Sequence, residues 1–295
     1  MFNPIDPQDP QNPRRRRFKA IPVRMLVPNL ITLLALCAGL TAIRLAFENK
    51  LDLALAGIVF AALLDGIDGR VARMLKGTSK FGAELDSLAD FVNFGVAPAL
   101  ILYFWGLHDF KSFGWIAALV FAICGALRLA RFNVMIDDPH KPAWAGNFFT
   151  GVPAPAGAIV VLLPIYLNFL GVPRGSALTA FTLVFALLVA FLMVSRLPVF
   201  SGKQFGKRVP TEMVLPVFVL AVLFFALLIA YPFEVLTIGT VLYLGALPLG
   251  WLSWQKHARA ATETQPPDHP IAESPAAPPP AAVAPPDGER PSRLN

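Results

Sequence analysis

Five carboxylates stand in the stretch "LLDGIDGRVARMLKGTSKFGAELDSLADF", Leu63 to Phe91: Asp65, Asp68, Glu84, Asp86 and Asp90. The segments around them are apolar enough to cross a membrane, where an ionised Asp at mid-depth costs about 2.5–3.5 kcal/mol. Asp65 and Asp68 are spaced i,i+3, and Asp86 and Asp90 i,i+4, so on helices turning about 100° per residue each pair shares a face. Two antiparallel helices joined by the short basic turn between them can bring four carboxylates together. Like charges repel, and the basic chains of Arg70, Arg73, Lys76 and Lys80 tend to snorkel outward, so hard divalent cations are the stronger counter-charge. Mg²⁺ or Mn²⁺ prefers carboxylate oxygens and leaves coordination positions for phosphate. Two such ions would balance four carboxylates and could polarise a phosphoryl group and a leaving phosphate.

The plainer alternative is that these are interfacial charges capping helices. It suits a lone Asp better than four at these spacings with small residues on the same faces. Gly69 and Ala72 lie within roughly 40° of Asp65 around the helix, and Gly82 shares a face with Asp86 and Asp90. Those glycines serve either close helix packing or the approach of a nucleotide or phosphate to the backbone. Arg73 is either a topology-setting charge or a bidentate partner for a diphosphate. Glu84 lies about 200° from Asp86, off the carboxylate face, and reads as a solvated or Lys80-paired charge.

The elements that position these residues are helices in a bilayer. Of 295 residues 56% are hydrophobic and only 15% charged, against about a quarter charged in soluble domains, and the mean hydropathy is +0.60. Continuous apolar runs, rather than the alternation of barrel strands, give an all-α polytopic bundle of about eight spans. They are expected at 25–46, 52–75, 83–106, 113–134, 153–171, 176–198, 212–231 and 234–254. Lys and Arg fall on alternate connections: Arg14 to Lys19, Arg70 to Lys80, Arg128 to Lys141, Arg196 to Arg208, and Lys256 with Arg259. The positive-inside rule then places both termini and the acidic cluster on the cytoplasmic side, and the expected location is the bacterial cytoplasmic membrane. The +6 net charge concentrates there, which suits anionic headgroups and does not require nucleic acid. Residues 1–24 read as a flexible basic arm, 25–255 as one membrane-embedded catalytic domain, and the Pro/Ala-rich 256–295 as a disordered tail. Cys37 and Cys124 fall inside spans without metal-ligand spacing and read as packing residues.

Asp65, Asp68-Gly69, Ala72-Arg73, Gly82, Asp86 and Asp90 form D-x₂-D-G-x₂-A-R-x₈-G-x₃-D-x₃-D, eight fixed positions within 26 residues. This pattern resembles the signature of the CDP-alcohol phosphotransferase family in residue type and spacing. The resemblance implies that Asp65, Asp68, Asp86 and Asp90 hold two divalent cations, with Asp90 also the general base. It also implies that Gly69, Ala72, Arg73, Gly82 and Ser79 contact the cytidine diphosphate part of a CDP-linked lipid. Asn29 and Thr32 of "PNLIT" on the first span are weaker carry-overs to the same role. A homodimer is implied in the same way.

The signature does not choose the acceptor alcohol. "ADFVNFGVAPA", "GALRLARFNV" and "FFTGVPAPAGA" resemble the phosphatidylserine synthase branch, with Asn93 standing where Ser or Thr is common. This implies CDP-diacylglycerol and L-serine as substrates. Arg128 and Arg131, spaced i,i+3, are candidates for the serine carboxylate, equally readable as positive-inside charges; Lys141 is a weaker one. Glycerol 3-phosphate, inositol phosphate or choline are the alternative acceptors. Phosphorylated acceptors should demand a larger basic cluster, and choline would favour aromatic residues such as Phe132, Trp144, Phe148 and Phe149. A cation transporter could also carry intramembrane carboxylates. It would not need the glycines and Arg73 at these offsets, and no internal repeat supports it.

Overall fold

A computed structural model describes residues 23–75, 77, 79–136, 148–200 and 211–263. The basic arm up to residue 22, the tail beyond 263, and Lys76, Lys141 and Trp144 lie outside the described residues. The chain divides into two units, Met1–Trp254 and Gln255–Asn295. Of the second, only the last turns of one helix, through Glu263, are described.

The described chain is a helical membrane bundle. Its helices are α1 (Val23–Phe47), α2 (Leu51–Met74), α3 (Lys80–Asp90), α4 (Ala97–Trp105), α5 (Ser112–Ile136), α6 (Ala154–Val161), α7 (Leu163–Phe169), α8 (Ser176–Val194), α9 (Thr211–Ala230) and α10 (Pro232–Glu263). Six stretches are long and apolar enough to cross a membrane: Leu26–Phe47, Lys80–Trp105, Ser112–Met135, Ser176–Val194, Met213–Ala230 and Pro232–Leu252. Two of the eight expected spans are absent from that set for different reasons. The 24 residues of α2 rise about 36 Å, enough to span, but they carry Asp65, Asp68, Arg70 and Arg73. The fifth expected span is the short apolar helical stretch Ala154–Phe169, interrupted at Leu162 between α6 and α7.

One feature was not visible as sequence periodicity. Three residues on each side of α6–α8 pair as an antiparallel ladder, β1 (Phe148–Thr150) with β2 (Pro198–Phe200), in the register Phe148 with Phe200 and Thr150 with Pro198. Strands this short leave no alternation to read. They pair the segment just before Gly151 with the segment just after α8.

Small residues set the close crossings that build the site. α1 and α2 form an antiparallel pair whose buried seam is Ala42, Ala46, Ala54, Leu55 and Ile58. A Cβ placed on Gly57 would come 3.0 Å from Ala42 Cβ, the small-on-small contact that lets membrane helices approach. α3 continues through a π-helical turn, Phe91–Val96, into α4. Such turns cluster at functional sites, and this one begins immediately after Asp90. It turns Asn93 into the bundle, where the side chain is buried in the notch left by Gly39 of α1; a Cβ there would overlap Asn93 Oδ1. Gly95 of the same turn faces Gly125 of α5, and a Cβ on Gly125 would lie 3.3 Å from Gly95 Cα. This crossing brings Arg128, three residues on, beside the acidic end of α3.

Candidate active site

The α2–α3 pair gathers the aspartates. Asp65, Asp68 and Asp86 each offer an oxygen, and these oxygens lie within 4.8 Å of one another. Asp90 joins them through Asp65, the two carboxyls being within hydrogen-bond reach. Three of the four thus share one cluster, and Asp90 adjoins it at Asp65. Asp68 is the least exposed to solvent, at 4%, and its Oδ2 accepts a 2.8 Å hydrogen bond from the Thr32 hydroxyl of α1. Thr32 Oγ1 also lies 3.1 Å from the Pro28 carbonyl. One hydroxyl proton serves one acceptor at a time, and the charged Asp68 is the stronger.

The donor set fits a hard divalent cation. It is all carboxylate oxygen, and Asp86 Oδ1 is buried with no hydrogen-bond partner among the described residues. A buried carboxylate oxygen left without a donor costs about 1–3 kcal/mol or more. A cation between the three carboxylates removes that penalty and their mutual repulsion together.

The residues expected around the CDP moiety lie on α1, on α2 and at the start of α3, with different local roles. Ser79 is the N-cap of α3, its Oγ accepting from Gly82 N at 3.0 Å. Gly82 packs closely: a Cβ would meet Asn29 Oδ1 at 2.8 Å and Ser79 Oγ at 3.1 Å. Gly69 does not, since a Cβ there would meet only Arg73 Nη1, at 3.7 Å. Helix packing thus accounts for Gly82 and leaves Gly69 open. Ala72 is half-buried beside it, and Arg73 is exposed without an ion pair among the described residues.

Arg128 and Arg131 part company. Arg128 is 7% exposed and sits over the Phe132 ring at 5.2 Å. It is near enough to Asp90 and Asp65 to interact electrostatically with both, but makes no ion pair or hydrogen bond among the described residues. Arg131 instead turns to the end of α8. Its Nη1 donates to Val194 O at 2.7 Å and its Nη2 to Ser195 O at 3.1 Å, satisfying carbonyls that a helix C-terminus leaves unpaired. Gly151, at φ +76°, brings β1 against the same guanidinium, and a Cβ there would lie 3.3 Å from Arg131 Nη2.

A cavity of about 540 Å³ opens between α3 and α5, lined among others by Asp86, Asp90 and Arg128. Sequence reasoning missed Ser87 and Asn133 in its wall, joined by a 2.9 Å hydrogen bond from Asn133 Nδ2 to Ser87 Oγ. It also set Glu84 aside, yet Glu84 lines this cavity. Glu84 is exposed and makes no ion pair with Lys80 among the described residues.

The chain matches the CDP-alcohol phosphatidyltransferase family over residues 25–194, the segment that contains the whole aspartate cluster, and a second description, CDP-alcohol phosphatidyltransferase 2, over 212–248. It is 40% identical over 237 residues to the CDP-diacylglycerol–serine O-phosphatidyltransferase of Mycobacterium leprae, covering 80% of this chain and 77% of that one. The protein of that name from Helicobacter pylori strain 26695 is 38% identical over 232 residues, 77% of this chain and 91% of the other. That of Methanocaldococcus jannaschii is 36% identical over 182 residues, 61% and 77%. With its eight signature positions gathered around one carboxylate cluster in a helical membrane bundle, the chain belongs to the CDP-alcohol phosphatidyltransferase family.

Proposed function

We propose that the protein transfers the phosphatidyl group of CDP-diacylglycerol to L-serine, giving phosphatidylserine and CMP. The observation that carries the choice of acceptor is Arg128, a buried guanidinium without an ion-pair partner among the described residues, lining the cavity that Asp86 and Asp90 also line. Asp90 and Asp65 offset its charge only from a distance, and a carboxylate-bearing alcohol would supply the direct ion pair that the buried guanidinium lacks. The names of the relatives point to the same acceptor.

Asp65, Asp68, Asp86 and Asp90 are the residues that would hold two divalent cations, Mg²⁺ or Mn²⁺. When bound, these ions polarise the diphosphate and offset charge on the leaving phosphate. Gly69 lets the nucleotide approach α2 where no side chain intervenes, with Ala72 beside it and Arg73 directed at the diphosphate. Thr32 holds Asp68, while Ser79, Gly82 and Asn29 fix the start of α3 against α1. Arg128 takes the serine carboxylate. Asp90 accepts the proton of the serine hydroxyl as that oxygen bonds to the lipid-bearing phosphorus. The bond from phosphorus to the CMP oxygen breaks, and CMP leaves with the electron pair. Positioning and electrostatics, with one base, account for the reaction.

The acyl chains of the donor lie in the bilayer, and the site opens to the cytoplasmic side of a bacterial cytoplasmic membrane, as the Lys and Arg pattern supports. The reading includes a homodimer, carried by the family resemblance. The test is CMP release by the purified full chain with CDP-diacylglycerol and Mn²⁺ or Mg²⁺, against serine, glycerol 3-phosphate, inositol phosphate and choline. Turnover dependent on serine is expected. Turnover with one of the other alcohols in its absence would overturn the acceptor.

A further inference from the structure

The wall of the α3–α5 cavity away from the aspartate cluster carries charge that metal binding does not use. Taking Asp86 as origin, the lining residues of α3 follow one another around the helix: Asp90 at about 40°, Ser87 at about 100°, Lys80 at about 120° and Glu84 at about 160°. One arc therefore has a metal-facing carboxylate at one edge, Asp90 inside it, and Glu84 at the other edge. Facing that arc, α5 supplies Arg128 and Asn133, and the Asn133–Ser87 hydrogen bond holds the two helices in register.

The signs of these charges are informative. Arg128 is a buried cation without an ion pair, and Glu84 an exposed anion without one, among the described residues. A phosphorylated alcohol would gain from Arg128 and Lys80 but be repelled by Glu84. A hydroxy amino acid presents one carboxylate and one ammonium: Arg128, with Lys80 near the mouth, suits the first, and Glu84, away from the metal-facing Asp86 and Asp90, suits the second. The rise from Glu84 to Asp90 is about 9 Å along α3, a distance that the two side chains and a small amino acid between them can bridge.

We propose that Glu84 binds the ammonium of the acceptor, so that the cavity recognises a zwitterionic hydroxy amino acid by both of its charges. This rests on the serine reading above and adds a specificity-determining residue to it. Discrimination between amino and non-amino alcohols is then set on α3, within the signature segment, but on the face turned away from the metals.

The experiment measures CMP release by the purified full chain as a function of serine and, separately, of CDP-diacylglycerol, for wild type, Glu84→Gln and Glu84→Asp. Losing a charge-assisted hydrogen bond should raise the serine KM in Glu84→Gln roughly tenfold to a hundredfold. The KM for CDP-diacylglycerol should stay within about twofold and kcat within about threefold, and Glu84→Asp should recover most of the serine KM. An unchanged serine KM in Glu84→Gln, or an equal rise for both substrates, overturns the role of Glu84 and leaves the serine reading standing. Wild-type turnover that does not depend on serine overturns both.

Discussion

Thr32 Oγ1 of α1 donates to Asp68 Oδ2 of α2 across 2.8 Å, and both residues are buried, 5% and 4% exposed. The hydroxyl therefore acts on the cluster from outside it, fixing which oxygen of Asp68 faces the other carboxylates. Hydrogen-bond partners of metal-ligating carboxylates typically contribute 10–100-fold in metal affinity. Thr32→Val keeps the shape and removes the donor. The Mn²⁺ concentration for half-maximal CMP release should rise by about that factor, with kcat at saturating metal little changed. An unaltered Mn²⁺ titration would assign Thr32 to helix packing alone.

Asp90 stands at the junction of the aspartate cluster and the α3–α5 cavity, within hydrogen-bond reach of Asp65. A general base at that position contributes typically 10²–10⁴-fold to the rate. Asp90→Asn should lower kcat by at least about that much while CDP-diacylglycerol still binds and the protein still purifies as wild type does. Near-normal turnover in Asp90→Asn would remove Asp90 from the proton transfer.

The gathering of the aspartates was legible in the sequence because it follows from helical period: i,i+3 on one helix, i,i+4 on the next, and a turn short enough to bring the two faces together. Arg128 and Arg131 were not separable in that way. Both sit on one helix three residues apart, and what divides them is the far end of α8 and the Gly151 turn, which reach Arg131 from residues 19 to 64 positions away. Glu84 is exposed, as its position off the carboxylate face suggests. That it also lines the cavity shared with α5 depends on where α5 lies, which the sequence does not give. The two glycines were alike as letters, and only the proximity of Asn29 to Gly82 tells them apart.

The two arginines should therefore fail differently. Arg128→Ala removes the guanidinium from the cavity and should raise the serine KM by at least roughly tenfold, the scale of a lost hydrogen bond to a charged group. Arg131→Ala removes donors from the Val194 and Ser195 carbonyls. Both residues are half-buried, so each lost hydrogen bond should cost about 0.5–1.5 kcal/mol, and the thermal unfolding midpoint in detergent should fall while the serine KM of the surviving protein holds. A raised serine KM in Arg131→Ala at unchanged stability would reverse this assignment.

Gly69 and Gly82 give the sharpest contrast between binding and packing. An Ala at 69 meets nothing closer than Arg73 Nη1 at 3.7 Å, and within a helix Ala is favoured over Gly by about 0.5–1 kcal/mol. Gly69→Ala should therefore be as stable as wild type or slightly more so. On the proposed reading its loss should appear as a raised KM for CDP-diacylglycerol, because the methyl would occupy the space left open for the nucleotide beside α2. An Ala at 82 would press on Asn29 Oδ1 at 2.8 Å and on the Ser79 cap at 3.1 Å. Either Asn29 rotates away or the first turn of α3 shifts, and the N-cap bond, worth typically about 1 kcal/mol, weakens with it. Gly82→Ala should lower the unfolding midpoint and the activity together. Thermal unfolding and CDP-diacylglycerol kinetics on the two variants decide the matter. Equal destabilisation by both would mean that Gly69 is also a packing glycine and that the nucleotide approaches α2 elsewhere.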